Sequence, residues 1–293
     1  MRRVLTALTV TLLLCYSASA QDKSDREKAS LLGPVRTVHT QNTDYGDGTL
    51  KEPLGTRKQD TVTYDQKGNE IERIIYDDYG FLRGKEVRTY DADGNLTDSV
   101  FSDETAVAGR RVYAYQNGKV TRIVAYDAKG KVETTHVNSY GKDGLLFEEK
   151  YLAGEKLLGK TVYKHDQNGN LTEMRFYLGN GARAIAPVGP CLGAHRMTYS
   201  YNKQNQPIKV VAYEANGVFK SRWKYSYDAK GQITADIRET PWSKQAFAFE
   251  YEYDSRGNWT RKIVTKDYAS RIAMDMENAR ATSVVSRDIS YYE

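Results

Sequence analysis

Cysteine is nearly missing from this chain: 293 residues contain two, Cys15 and Cys191. The first lies in a segment with the makeup of a secretory signal. Arg2 and Arg3 precede an apolar run from Val4 through Leu14, and small residues fill Ser17-Ala18-Ser19-Ala20 before Gln21. Removal of residues 1–20 leaves Cys191 alone, which excludes an internal disulfide even in an oxidising compartment. Leu14 is too large for the residue that precedes a lipidated cysteine, so Cys15 is not read as an anchor.

Past the signal no long apolar run occurs, which excludes a membrane-spanning helix of about 20 residues. Neither sign of charge dominates. The chain has 43 basic and 38 acidic residues, net +5, mixed along every segment. Without a basic stripe, nucleic acid is not an expected partner. Histidine is scarce as well: His39, His136, His165 and His195 stand too far apart for a zinc motif. No metal and no other cofactor is expected.

What the chain has is tyrosine, 23 in all, and a recurring Tyr-Asp-x-x-Gly-Asn pattern. Copies begin at Tyr64, Tyr90, Tyr126, Tyr227 and Tyr253, and His165 fills the tyrosine slot of another. Steps of 11 or 12 residues alternate with steps of 14, so a two-turn unit spans 25 or 26 residues. Such periodicity marks a repeat architecture. The segments between turns, such as Glu70 to Tyr76, Val120 to Tyr126 and Ile208 to Tyr213, alternate β-branched or aromatic residues with polar ones, the mark of half-buried antiparallel strands.

The motif itself is turn chemistry. Its Asp accepts hydrogen bonds from backbone amides further along, and its Gly takes the left-handed conformation, giving a type I turn that closes through a Gly bulge. The reading is an all-β chain: an antiparallel meander of sixteen to eighteen strands in an extended or curled sheet, with barrel closure left open. A short helix begins near Asp25. The chain divides into a signal (1–20), an N-terminal cap (21–56), a repeat sheet (57–266) and a C-terminal cap with a closing strand (267–293).

These Tyr-Asp turns, followed by Leu96-Thr97, Leu171-Thr172 or Trp259-Thr260, resemble the YD repeats of the Rhs family of bacterial secreted and surface proteins. The resemblance covers residues 57–266. It implies a curling antiparallel sheet with a role in surface interaction. The self-cleaving boundary and toxic C-terminus of large Rhs proteins have no counterpart here, and with so few strands a closed cocoon is not expected. The chain looks like a small stand-alone member.

Candidate chemistry is sparse. Asp65, Asp77, Asp78, Asp91 and Asp93 put oxygens into loops, but neither EF-hand nor β-roll spacing is met, so turn capping accounts for them. Cys191 and His195 lie four apart without an orienting third group, and Glu148-Glu149, Asp236 and Glu239 read as solvated strand residues. No catalytic residue is assigned. The tyrosine pairs Tyr113/Tyr115, Tyr199/Tyr201, Tyr225/Tyr227 and Tyr251/Tyr253 are the candidate binding residues, since rings on a sheet face can stack on sugars.

One step is long. Tyr177 to Tyr201 is 24 residues where 14 is the rule, which places an insertion within 179–195. The functional expectation is an exported, non-enzymatic binding scaffold in the periplasm, at the cell surface or outside the cell, with an envelope glycan or surface protein as partner. The alternative is a polysaccharide hydrolase or lyase with its site near the insertion.

Overall fold

The computed structural model describes residues 23–47, 50–77, 79–185, 193–270 and 280–293. The signal segment, Asp78, Cys191 with the middle of the insertion, and Met274 and Met276 lie outside the described residues.

Helix α1 (Asp25–Lys28) is followed by eighteen strands: β1 (Val35–Asp44), β2 (Gly55–Tyr64), β3 (Glu70–Tyr76), β4 (Leu82–Tyr90), β5 (Leu96–Ser102), β6 (Val107–Gln116), β7 (Lys119–Asp127), β8 (Val132–Tyr140) and β9 (Leu146–Ala153). The second half holds β10 (Lys156–His165), β11 (Leu171–Leu178), β12 (Arg196–Tyr201), β13 (Pro207–Tyr213), β14 (Phe219–Tyr227), β15 (Ile233–Glu239), β16 (Ser243–Tyr253), β17 (Trp259–Ser270) and β18 (Arg280–Tyr291). The strand count is the upper end of the expected range.

Every strand pairs antiparallel with its sequence neighbours, and β1 also pairs with β18 through Val38↔Ile289, Thr40↔Arg287 and Asn42↔Val285. The sheet is therefore closed, not extended or merely curled. Closure removes the two edges that an open meander would leave unpaired. The terminal strands that read as caps are staves of the wall, and their pairing across the whole chain length is what no local pattern encodes.

The turn chemistry is as the motif requires. In the β2–β3 turn Asp65 Oδ1 accepts from the Asn69 amide at 2.9 Å, its Oδ2 from Asn69 Nδ2 at 2.9 Å, and Gly68 sits at φ +92°. The register shifts by one residue just before each such turn, as between Thr63 and Tyr64. Because neighbouring strands run in opposite directions, every second turn falls at the same end. The 25- or 26-residue unit is thus one full up-and-down excursion. One rim holds the turns after β2, β4 and so on to β16, together with the start of β1 and the end of β18. The other rim holds the ends of β1, β11 and β17 and the starts of β2, β12 and β18.

Strand pairing also separates two walls. Val38, Val62, Ser99, Thr161, Met197, Val210, Ala212 and Asp236 share one face and are buried. Curvature crowds the concave face, so this is the inner wall. Apolar packing stays local: one cluster joins Leu31, Val35, Val38, Val62 and Tyr64 with Ile289 and Tyr291, and another joins Ala194, Met197, Val210 and Ala212 with Trp223 and Tyr225. Each buried aliphatic side chain there stabilises the wall by on the order of 2 kcal/mol. The strand pairs in substantial contact are all ring neighbours. A round ring of eighteen strands would be roughly 35 Å across, wide enough for an aqueous lumen.

Candidate functional site

The inner wall collects the tyrosines, and at one rim they have a defined task. The Tyr90 hydroxyl on β4 lies 2.9 Å from Glu70 O at the start of β3; Tyr115 donates to Leu96 O, Tyr140 to Val120 O and Tyr201 to Leu171 O, at 2.8 to 3.0 Å. Tyr227 reaches Pro207 O at 2.6 Å and Tyr251 reaches Ile233 O at 2.8 Å. Each hydroxyl ties the end of one strand to the start of the strand before it. Burial pushes Tyr115 and Tyr251 up to about 12, so they remain donors at any physiological pH. Tyr227→Phe is expected to cost about 1 kcal/mol in chemical denaturation, with no change of fold by circular dichroism.

The other candidate tyrosines share this wall. Tyr113 lies 3.4 Å from Ser99 Oγ, Tyr199 donates to Met174 Sδ at 2.9 Å, and Tyr253 donates to Asp228 Oδ2 at 3.5 Å with Lys230 Nζ over its ring. Tyr225 packs in the second apolar cluster. Tyr225 and Tyr227, with Asn202, Asp228 and Lys230, line an open cleft of about 570 Å³ at the tight-turn rim. The eight residues are thus brought to one surface but spread around it.

The inner wall also carries charge that sequence reading missed. Glu149 Oε1 lies 3.0 Å from His136 Nδ1, and its Oε2 accepts from Tyr151 and Tyr163 at 2.9 Å each. An ionised carboxylate only accepts, so His136 carries its proton on Nδ1. Burial alone would raise the Glu149 carboxyl; the bonds from His136 and the tyrosines outweigh it and hold the group below the usual range. A second network joins Arg73 to Glu70 and Asp60, and Arg88 to Glu70 and Glu86, at 2.7 to 3.0 Å. Asp25 of α1 extends it, accepting from Tyr90 at 2.7 Å and from the Glu70 amide at 3.1 Å. The Glu149-x-Tyr151 and Thr161-x-Tyr163 spacings mark shared faces in sequence; only register brings His136 beside them.

The limbs of the insertion are knitted to β11 and β13. Phe176 N donates to His195 O, His195 N donates to Tyr213 O, and the buried His195 ring sets Nδ1 2.9 Å from Ala184 O and its edge against Tyr177. That is an anchoring histidine. Its proposed thiol neighbour, Cys191, lies outside the described residues.

The outer wall is different. Glu148 pairs with Lys160 at 2.8 Å and Lys150 at 3.2 Å, Glu173 with Lys164 at 3.0 Å and Arg175 at 2.9 Å, and further pairs join Glu72 to Lys85, Asp98 to Arg110 and Glu252 to Arg261. The pair of Glu252 with Arg261 is solvent-exposed and contributes under about 1 kcal/mol, whereas the carboxylates of Glu148, Glu173 and Asp98 are largely covered by their partners.

A closed ring with these two walls defines an eighteen-stranded antiparallel β-barrel protein. A protein-family model described as "Uncharacterised protein" matches residues 27–151. No curated protein sequence matches the chain. Among solved structures the chain is similar to a porin-like protein from Bacteroides uniformis, at 14% identity over 88% of this chain and 99% of that one, with a TM-score of 0.45. It is similar to a porin-like protein from Bacteroides vulgatus at 14% identity over the same shares, TM-score 0.27, and to a LolA superfamily protein from Nitrosomonas europaea at 8% identity over 95% and 94%, TM-score 0.20. The Rhs resemblance is corrected by these findings: the family model that matches is a different one, and the Tyr-Asp turns are hairpins of a single closed ring, not repeats of the YD type.

Proposed function

We propose that the chain is an exported, non-enzymatic β-barrel protein of the bacterial cell envelope, with the lumen as its binding surface and an outer wall that stands in water. One observation carries the second half of this reading. On three strands spread around the ring the outward row holds a single apolar residue between polar ones: Val162 between Lys160 and Lys164, Val87 between Lys85 and Thr89, Ile263 between Arg261 and Thr265. Same-face residues are about 7 Å apart along a strand, whereas a lipid-facing band needs about 25 Å of apolar wall.

A second reading, a barrel seated in an outer membrane, is favoured by the even strand number and by the tight turns that make up the whole rim where β1 starts and β18 ends. Fractionation separates the two. The expected result is recovery of the mature protein in the periplasmic or culture fraction and a monodisperse species in buffer without detergent. Recovery only from outer membrane, soluble only in detergent, would replace the first reading by the second. Release of reducing ends from a cell-wall or glycan panel would overturn the non-enzymatic part.

A further inference from the structure

Most inner-wall cations described above are neutralised: Arg73 and Arg88 by Glu70 and its neighbours, Arg238 by Asp236 at 2.7 Å. Lys262 on β17 and Arg287 on β18 are not, and Arg111, stacked 4.7 Å from the Phe101 ring centre, lacks a carboxylate partner among the described residues too, but of the three only Lys262 and Arg287 lie next to each other. Neither makes an ion pair with a carboxylate among the described residues. Instead Lys262 Nζ lies 5.2 Å from the Trp259 ring centre and 5.7 Å from that of Phe249, and the Arg287 guanidinium carbon lies 3.6 Å from the Trp259 ring centre. The carboxylate that acts on Arg287 is Asp60, across Thr40 in the pairing row, and Asp60 is bonded to Arg73 at 3.0 Å. Arg287 Nε is buried without a hydrogen-bond partner.

Two cations thus sit side by side, half-buried, on the strands that close the ring. Burial pushes Arg287 down to about 10, and burial together with Arg287 itself lowers Lys262. A buried, uncompensated charge is costly, and an anion placed between two of them recovers that cost. The rings supply the other half of a binding surface: Trp259, Phe249 and Tyr251 form an aromatic floor, with Tyr251 edge-on to Trp259 at 6.0 Å.

We propose that Lys262 and Arg287, over the floor of Trp259, Phe249 and Tyr251, form a lumenal site for an oxyanion, a carboxylate or phosphate group carried on an apolar body. The cations take the charged group, and the rings take the body. The inference rests on the lumen being the working surface. It does not depend on whether the outer wall meets water or lipid, because the site can be assayed in buffer or in detergent.

The test is titration calorimetry and tryptophan fluorescence of the full mature protein with benzoate, inorganic phosphate and the neutral isostere benzamide. Benzoate is expected to bind saturably and benzamide not. Lys262→Gln and Arg287→Gln are each expected to weaken benzoate at least tenfold, while Arg110→Gln on the outer wall leaves it unchanged. Phosphate binding with the same losses supports the charged half of the site on its own. The proposal is overturned if neither anion binds saturably, if benzamide binds as well as benzoate, or if the two substitutions leave affinity intact. Should Arg287→Gln fail to fold by circular dichroism, Lys262→Gln decides.

Discussion

Asn258→Ala is expected to lower the unfolding free energy by about 3 kcal/mol, a loss out of proportion to a turn residue. The reason is where this turn lies. Asn258 closes the β16–β17 turn through its amide to Asp254 Oδ1 at 2.9 Å, as its counterparts do elsewhere. Its side chain is otherwise engaged: Oδ1 accepts from Leu32 N at 2.6 Å, and Nδ2 donates to Leu32 O and to the Tyr291 hydroxyl, both at 2.8 Å. At 2% exposure it joins the N-terminal arm, the last strand and the last tight turn at the seam where the ring closes. Truncation strands the Leu32 amide and carbonyl, while the Tyr291 hydroxyl keeps its bond to Asp254 Oδ2. Asn95→Ala is the matched control, because Asn95 holds the same motif position in a solvent-facing turn and its side chain bonds only Asp91. Its loss should be less than a third as large. Urea midpoints for the two variants check this; equal, small shifts would show that the seam does not depend on Asn258.

That contrast also marks how far the sequence could be read. The turn residues, the strand count and the short helix follow from local rules: Asp at the first turn position, Gly at positive φ, alternation between turns, and Ser24 with Glu27 as a reciprocal cap on α1. Closure does not follow from local rules. It depends on β1 finding β18, and on the shear that lets eighteen staves meet, neither of which repeats at the motif's period. Asn69, Asn95, Asn170 and Asn258 are equivalent in sequence, and the first three bond the motif Asp, yet Asn170 adds Asn205 and Asn258 turns to Leu32 and Tyr291 because those turns meet a different part of the ring.

The inner-wall chemistry was hidden for a related reason. Period-two alternation assigns residues to a face but not to a neighbour on that face, since a one-residue slip in register changes every cross-strand partner. Glu149 read as one of two solvated carboxylates. In the barrel Glu148 faces outward to lysines and Glu149 faces inward to His136, Tyr151 and Tyr163, so adjacent and chemically identical residues have opposite roles. Lys262 and Arg287 were equally silent: each belongs to a strand with mixed charge, and only pairing of β17 with β18 shows that no carboxylate sits between them.

Glu149 yields the second large effect. Glu149→Ala removes the acceptor shared by His136, Tyr151 and Tyr163; of the three, the Tyr151 hydroxyl keeps Thr161 Oγ1 at 3.0 Å. A loss of about 3 kcal/mol is expected at pH 7. Glu149→Gln keeps the shape and one acceptor oxygen, and should lose about half as much. The pH dependence separates charge from shape. The folded Glu149 carboxyl titrates below its ordinary value of 4.5, so its ionised form is favoured by the fold. The stabilisation is complete above that unfolded value and disappears as the pH falls from there through the lower folded value. Other depressed carboxyls, such as those of Asp25, Glu148 and Glu173, contribute equally to the parent and the variant and cancel in the difference. The gap in stability between parent and Glu149→Gln, measured by urea unfolding, should therefore narrow from pH 7 to pH 3. A gap that stays constant over that interval would mean that the node is held by packing and neutral hydrogen bonds, and that the inner wall does not depend on the Glu149 charge.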